Sequence, residues 1–187
     1  MKNLTKIGLF LFTILLGVAT KSNAQSSTQR SNIILSVGPQ SNLPLGTFKD
    51  AYDWSIGGSI QGDFAVLKND LYVVVNAGYD NFFAKKDLTN AKDLGLVPVK
   101  AGLKYYFPTT NLYVQGTAGA AFLTNKSDVN ADKSTAFLYS PQIGYLLNLG
   151  NKNYLDLGVN FQSISKINDN GSAINSLGLR VSYNFGL

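Results

Sequence analysis

The sequence contains no cysteine, no histidine and no glutamate, and all eleven of its acidic residues are aspartates. Without cysteine there can be neither a disulfide framework nor the lipidated cysteine of a lipoprotein anchor. Without histidine and cysteine, ordinary zinc sites and nucleophiles activated by a histidine base are excluded. The residue inventory therefore excludes hydrolases that rely on a histidine base, and we expect no enzymatic activity, no metal site and no cofactor.

Charge is also scarce, because charged residues make up 14% of the chain, against roughly 25% in an ordinary soluble domain. Part of the formal net charge of +5 comes from Lys2, Lys6 and Lys21, which lie in a segment that we expect to be removed. The rest of the chain carries 13 basic and 11 acidic residues. Binding to nucleic acid would need a clustered basic face, so nucleic acid is not an expected partner.

Only one long apolar run exists, and it lies at the N-terminus. Ile7–Ala19 follows the basic stretch Met1–Lys6, and Ser22-Asn23-Ala24 places small residues before Gln25, which is the layout of a secretory signal peptide. The alternative, a transmembrane anchor, would need roughly 20 apolar residues. We therefore predict a signal peptide over 1–24 with cleavage after Ala24, a short polar lead-in over 25–32, and one domain over 33–187.

That domain shows the period-two alternation of β-strands. The predicted strands mostly exceed the usual length of roughly 5–6 residues and suit the roughly 9–11 residues of a tilted membrane-spanning strand. Eight strands are predicted, at Ile33–Pro39, Trp54–Val66, Leu71–Phe82, Leu96–Phe107, Leu112–Leu123, Ala136–Leu149, Tyr154–Ile164 and Ile174–Phe185.

The predicted connections alternate between long and short. Tight turns rich in Asn, Pro and Gly fall at Lys68-Asn69, Pro108–Asn111 and Gly150–Asn153. Longer polar stretches lie near Gln40–Asp53, Phe83–Gly95, Thr124–Thr135 and Ser165–Ala173. This order is typical of an antiparallel up-and-down barrel with both termini on the short-turn side. Bacterial outer-membrane barrels have short periplasmic turns and longer extracellular loops, which fits a chain that arrives from the periplasm.

Alternation alone also fits a soluble ligand-binding barrel with its apolar face inward. The polar face decides between the two, because it carries few charges and many small groups such as Gly, Ser, Asn, Gln and Thr. Small groups suit the narrow interior of an eight-stranded barrel, and the apolar face then suits lipid. The predicted fold is an all-β, eight-stranded antiparallel transmembrane barrel in the outer membrane.

Six charged residues fall on the predicted inner face: Asp63, Asp80, Lys100, Lys104, Asp156 and Arg180. Buried charges persist when they are paired and hydrogen-bonded, so we predict an ion-pair network that fills the lumen. Asp156 and Arg180 lie on consecutive strands, and Lys100 could reach Asp80 or Asp63. The alternatives are a polar path for small solutes or protons, or a catalytic carboxylate pair of Asp63 and Asp156, which lacks a third group.

The segment Leu96–Phe107 (LVPVKAGLKYYF), the turn at Pro108 and the ending Ser176–Phe185 (SLGLRVSYNF) resemble the small outer-membrane β-barrel family common in Bacteroidota. That family belongs with the OmpA- and OmpX-like eight-stranded barrels, and the resemblance covers about Ser31 to Leu187. It implies no catalytic residues. It does imply a C-terminal aromatic that the barrel-assembly machinery reads, here Phe185, although Gly186 and Leu187 follow it.

Three functions remain open. The first is a structural or surface-interaction barrel that meets an extracellular partner through its long, mixed-charge loops. The second is a narrow pore or a transporter of small hydrophobic ligands, in which Pro98 and Pro141 could open a lateral exit, although a simple bulge is the expected effect of each proline. The third is a soluble periplasmic ligand-binding barrel.

Overall fold

The computed structural model describes residues 30–67, 70–88, 91–127, 129, 131–169 and 171–187. The predicted signal peptide, its cleavage site and the turn at Lys68-Asn69 lie outside the described residues. Three residues of the predicted lead-in, Arg30, Ser31 and Asn32, are described and contact the barrel.

Eight antiparallel strands form one closed barrel in which each strand pairs with its chain neighbours and the first pairs with the last. Within the described ranges no helix is long and apolar enough to cross a membrane. The predicted fold is confirmed. The strands are β1 (Ile33–Leu45), β2 (Tyr52–Leu67), β3 (Leu71–Ala84), β4 (Leu94–Tyr106), β5 (Leu112–Leu123), β6 (Thr135–Gly150), β7 (Asn153–Ile164) and β8 (Ile174–Gly186).

The two faces of the strands have opposite environments. Large apolar side chains stand on the outer wall, where Ile60 is 62% exposed and Phe137 is 59% exposed. Polar side chains such as Ser59, Gln61 and Gln115 are buried inside. A soluble ligand-binding barrel would show the reverse, so the burial pattern argues against that alternative.

The first strand is longer than predicted, because β1 continues through Leu45 and only the short 3-10 turn Gly46–Asp50 separates it from β2. The long connection predicted over Gln40–Asp53 was therefore wrong. The strand continues past Pro39 and Pro44 because a proline removes only one backbone donor. Pro39 still pairs with Gly58 of β2, and Pro44 pairs with Ser176 of β8, so the strand runs on.

Pro98 and Pro141 coincide with gaps in the ladder instead of bulges. Between β3 and β4 the pairs Ala77↔Val99 and Asp80↔Leu96 flank two absent pairs at Pro98. Between β6 and β7 a similar gap at Pro141 separates Tyr139↔Ser163 from Gln142↔Asn160. The register is the same on both sides of each gap, so the expected bulge is corrected. A missing N–H removes a hydrogen bond without adding a residue to the strand.

Candidate functional site

All six charged residues predicted for the lumen lie on inner-face positions of their strands. Lys100 is half-buried, and the other five are buried: Asp63, Asp80, Lys104, Asp156 and Arg180. Period-two alternation is sufficient to place them, because every second side chain of a strand points to the same face.

Four of these residues, contributed by β2, β4, β7 and β8, meet inside the barrel. Lys104 Nζ lies 2.6 Å from Asp63 Oδ2 and 3.7 Å from Asp156 Oδ2. Arg180 Nη1 lies 4.0 Å from the same Asp156 oxygen. Two carboxylates and two cations thus balance one another, and we call Asp63, Lys104, Asp156 and Arg180 the ion cluster.

Polar neighbours support the two carboxylates of the ion cluster. Gln61 Nε2 donates to Asp63 Oδ1 at 2.7 Å, and the Tyr113 hydroxyl donates to Asp156 Oδ1 at 2.7 Å. Such bonds are needed because Coulomb attraction alone seldom compensates for the desolvation of buried ions. Neither Gln61 nor Tyr113 was predicted to belong to a site, although both lie at inner-face positions of their strands.

The guanidinium of Arg180 is held mainly by serines. It donates to Ser59 Oγ from Nε at 2.9 Å and to Ser36 Oγ from Nη2 at 3.0 Å. Arg180 Nη1 and Asp156 Oδ2 have no hydrogen-bond partner among the described residues, so their 4.0 Å contact is purely electrostatic.

Amide side chains also bridge the lumen. Gln61 on β2 and Gln115 on β5 exchange hydrogen bonds of 3.2 and 3.3 Å. Because β2 and β5 are not neighbours in the barrel, this pair spans the interior, as does the contact of Lys104 on β4 with Asp156 on β7. Side chains from distant walls therefore touch one another across the lumen.

Asp80 and Lys100 stand apart from the ion cluster. Asp80 Oδ1 accepts hydrogen bonds from Gln40 Nε2 at 2.8 Å and from Asn42 Nδ2 at 3.1 Å. Among the described residues, Lys100 has no carboxylate within ion-pair distance. Lys104, four residues further along the same strand, is the lysine that reaches Asp63.

At the end of the barrel that carries the short turns, the inside is lined by a largely aromatic group that we call the tyrosine cluster: Ile34, Tyr72, Val74, Tyr106, Tyr113, Leu146 and Tyr154. Lys104 Nζ lies 4.6 Å from the centre of the Tyr113 ring, so the ammonium gains a cation–π contact besides its carboxylates. A Cβ added to Gly144, which faces Tyr113 across the β5–β6 ladder, would run into that ring. Glycine at this position makes room for the tyrosine.

At the opposite end, below the long loops, the interior is apolar, unlike the polar inner face expected from the sequence. Aliphatic and phenyl side chains fill this end, and the loops add further members. We call it the outer cluster: Phe48, Phe82, Leu94, Leu96, Ala121, Leu123, Ala131, Ala136, Leu138, Ile164 and Ile174. Phe48 comes from the 3-10 turn, and its ring centre lies 5.1 Å from that of Phe82.

The long loops after β5 and β7 are tied to each other. The backbone N–H of Lys133 donates to the Ile167 carbonyl at 3.0 Å, and the backbone N–H of Asp169 donates to Asp132 Oδ2 at 2.9 Å. An exposed ion pair joins Lys133 Nζ to Asp169 Oδ1 at 3.3 Å. These two loops form one connected surface, and Val129 and Ile167 anchor it to the outer cluster.

The predicted assembly signal lies on the outer wall of β8. Phe185 is exposed, and its ring centre is 4.8 Å from that of Tyr183. The chain continues in the sheet beyond it, since the backbone N–H of Leu187 donates to the Ile33 carbonyl at 2.9 Å.

The arrangement of the interior suits a structural ion cluster in which carboxylates and cations neutralise one another. Asp63 and Asp156, the carboxylates considered for catalysis, both contact Lys104 and are both engaged by hydrogen-bond donors. A general acid–base pair instead needs groups placed to exchange protons with a substrate.

A sequence model of the family described as outer membrane protein beta-barrel domain matches residues 10–185. No curated protein matches the sequence.

Several solved structures share the fold at low sequence identity. The attachment invasion locus protein Ail of Yersinia pestis is 16% identical, with a TM-score of 0.53, and the match covers 83% of this chain and 99% of that one. Neisserial surface protein A is 14% identical, with a TM-score of 0.58 and coverages of 84% and 98%. Outer membrane protein AlkL, solved in lipid bilayers, is 15% identical, with a TM-score of 0.52 and coverages of 89% and 96%.

Proposed function

Because this chain belongs to the outer membrane protein beta-barrel domain family, we propose that it is a non-enzymatic integral barrel whose lumen is filled and whose working parts are its long loops. In this proposal the short turns and both termini face the periplasm, and the loops face the outside. The N-terminal 24 residues act as a cleaved signal peptide, and the assembly machinery reads Phe185 on the last strand.

The proposal that the lumen is filled is supported by direct contacts between side chains of non-neighbouring strands. Lys104 on β4 contacts Asp63 on β2 and Asp156 on β7, and Gln61 on β2 contacts Gln115 on β5. An eight-stranded barrel has an interior just wide enough for side chains to fill. These contacts favour a scaffold that blocks solutes over one that conducts them.

Planar-bilayer recording tests the filled lumen. The wild-type protein should show no steady single-channel steps. Replacing both bridging amides, Gln61→Gly with Gln115→Gly, removes a cross-lumen contact and should raise the frequency of conducting events. Steady steps from the wild type would contradict the proposal.

A surface role of the loops is supported by their connection to one another and to the outer cluster. Loops on a rigid scaffold commonly carry binding function. The loops after β5 and β7 are joined by contacts of Asp132, Lys133 and Asp169, so they form one continuous surface and do not move independently.

Trimming a loop tests this role. Replacing residues 126–133 by a short Gly-Ser linker should leave a folded, heat-modifiable barrel in the outer membrane and reduce adhesion of the cells to surfaces. The matched control extends the short turn at Asn151 and Lys152 by the same linker, which should leave adhesion unchanged. Adhesion that survives the trimming of every long loop would contradict the proposal.

A second candidate, lateral exit of a small hydrophobic solute, is favoured by the β6–β7 seam. Pro141, at the ladder gap, also lines one edge of a shallow outer groove of about 590 Å³, which extends away from the seam over β4, β5 and β6. The groove residues are Ala101, Gly102, Leu103, Gly116, Thr117, Ala118, Tyr139 and Pro141.

A disulfide across this seam tests the second candidate, since the chain has no native cysteine. Ser140→Cys with Gln162→Cys should lock the gap and abolish uptake of an apolar fluorophore. The control, Thr117→Cys with Ser140→Cys, spans the intact β5–β6 ladder and should leave uptake unchanged. Equal uptake in both oxidised variants would eliminate a β6–β7 exit.

A further inference from the structure

The chain that leads into β1 does not run away from the barrel. The Ala65 N–H donates to the Asn32 carbonyl at 2.8 Å, which extends the β1–β2 ladder by one residue. Ser31 is buried, and its carbonyl accepts a 3.0 Å hydrogen bond from the Tyr72 hydroxyl. The residues just before β1 thus turn inward below the tyrosine cluster.

Arg30 then reaches the far wall. Its Nη2 donates to the Thr110 carbonyl at 2.6 Å, in the turn between β4 and β5. In a ring of eight strands, that turn lies opposite β1. Arg30 Nη1 also lies 3.8 Å from Asp70 Oδ1, in the turn between β2 and β3. These contacts place the guanidinium of Arg30, a residue three positions before Ile33, over the mouth of the barrel.

The guanidinium covers the layer of tyrosine rings. Its central carbon lies 4.3 Å from the centre of the Tyr106 ring. Tyr106 in turn makes edge contacts with Tyr72 at 5.6 Å and Tyr113 at 5.4 Å between ring centres. Lys104 Nζ lies 5.7 Å from the same ring centre. Tyr106 therefore contacts both the buried ammonium of Lys104 and the guanidinium of Arg30.

We propose that residues 30–32 are a built-in stopper of the short-turn mouth and that Arg30 is the residue that seats it. Arg30 links two turns and one aromatic ring by a charge-assisted hydrogen bond, an ion pair and a cation–π contact. Those contacts hold the segment across the opening and keep water-borne molecules away from the tyrosine cluster and the ion cluster. The stopper is a property of the barrel itself and does not depend on what the loops bind.

Thiol accessibility in the otherwise cysteine-free chain tests the stopper. A reporter, Val74→Cys, places a thiol among the buried side chains of the tyrosine cluster. The purified barrel is exposed to 2-sulfonatoethyl methanethiosulfonate, a charged reagent that does not enter lipid. Adding Arg30→Ala should raise the labelling rate about tenfold or more, because a cation–π contact and a charged hydrogen bond are lost. Arg30→Lys should give an intermediate rate, since lysine keeps the charge but lacks the planar fork.

Two controls separate opening of the mouth from general loosening. Lys152→Asn removes a cation from another short turn, where asparagine tolerates the positive φ, and should leave the labelling of the Val74→Cys reporter unchanged. A second reporter, Ala136→Cys in the outer cluster, should label at the same rate with and without Arg30. Equal labelling of the Val74→Cys reporter in both backgrounds would overturn the proposal, and so would faster labelling of both reporters.

Discussion

The two ends of the lumen are closed by different chemistry. Toward the short turns, the ion cluster and the tyrosine cluster fill the interior with charges, hydroxyls and rings that depend on specific partners. Toward the long loops, the outer cluster fills it with aliphatic and phenyl side chains. A buried ion cluster is strongly destabilised when one charged partner is removed. An apolar cluster, by contrast, tolerates substitutions that conserve side-chain volume.

The two ends also differ in where their residues come from. Every member of the ion cluster belongs to a strand. The outer cluster also includes Phe48 from the 3-10 turn and Ala131 from a loop. The charged end therefore joins strands only, whereas the apolar end also joins the strands to the external loops.

Removing the shared cation should have the largest effect. Lys104→Met leaves Asp63 and Asp156 buried without their ammonium, which should lower the free energy of unfolding by about 3–5 kcal/mol. Urea-induced unfolding in lipid vesicles, followed by the fluorescence of the single tryptophan, Trp54, measures this change.

The double variant Lys104→Met with Asp63→Asn sharpens the result. It removes one uncompensated charge and should recover part of the lost stability. If Lys104→Met unfolds at the same urea concentration as the wild type, the ion cluster does not stabilise the barrel. The proposed difference in sensitivity between the two ends of the lumen would then be wrong.

A truncation in the outer cluster should have the next largest effect and should reach the loops. Leu138→Ala removes a buried side chain and should cost about 2–5 kcal/mol. The long loops should also become more sensitive to limited proteolysis, because their anchor is weakened. Leu103→Ala is the matched control, since Leu103 is exposed on the outer wall and should cost less. Unchanged proteolysis in Leu138→Ala would show that the outer cluster does not shape the loops.

A single methyl group on the inner wall should have a smaller effect. Gly144→Ala forces the Tyr113 ring away from Asp156 and Lys104, and such overpacking costs about 1–3 kcal/mol. Gly116→Ala is the control, because nothing lies within 4 Å of a Cβ added there. Thermal unfolding of both variants gives the comparison, and equal melting temperatures would mean that Tyr113 is not held in place.

Strand positions were largely readable from the sequence. Strand β5 runs over Leu112–Leu123 as predicted, and the other strands after the first differ from prediction by at most two residues at either end. Period-two alternation is strong where one face is buried and the other is apolar. The end of β1 was missed because the pairing of Pro39 and Pro44 depends on neighbouring strands, one of which lies far away in the chain.

Partners inside the lumen were less readable. Parity placed Lys100 and Lys104 on the same inner face, but it did not indicate which lysine meets Asp63. The tilt and stagger of the closed barrel decide which residues share a level, and no local pattern encodes that stagger. The same reason explains why Gln61, Gln115 and Tyr113 were not assigned to a site in advance.

The sequence by itself determined most of the architecture: eight alternating strands, the order of the connections after β2, and the apolar outer face of each strand. These properties are local, because they follow from side-chain period and turn chemistry. Only the tertiary structure decided that Lys104 lies between Asp63 and Asp156, that the outer end of the lumen is apolar, and that Arg30 covers Tyr106. Those contacts join residues from opposite walls, and they exist only once closure of the barrel has fixed the distance between the walls.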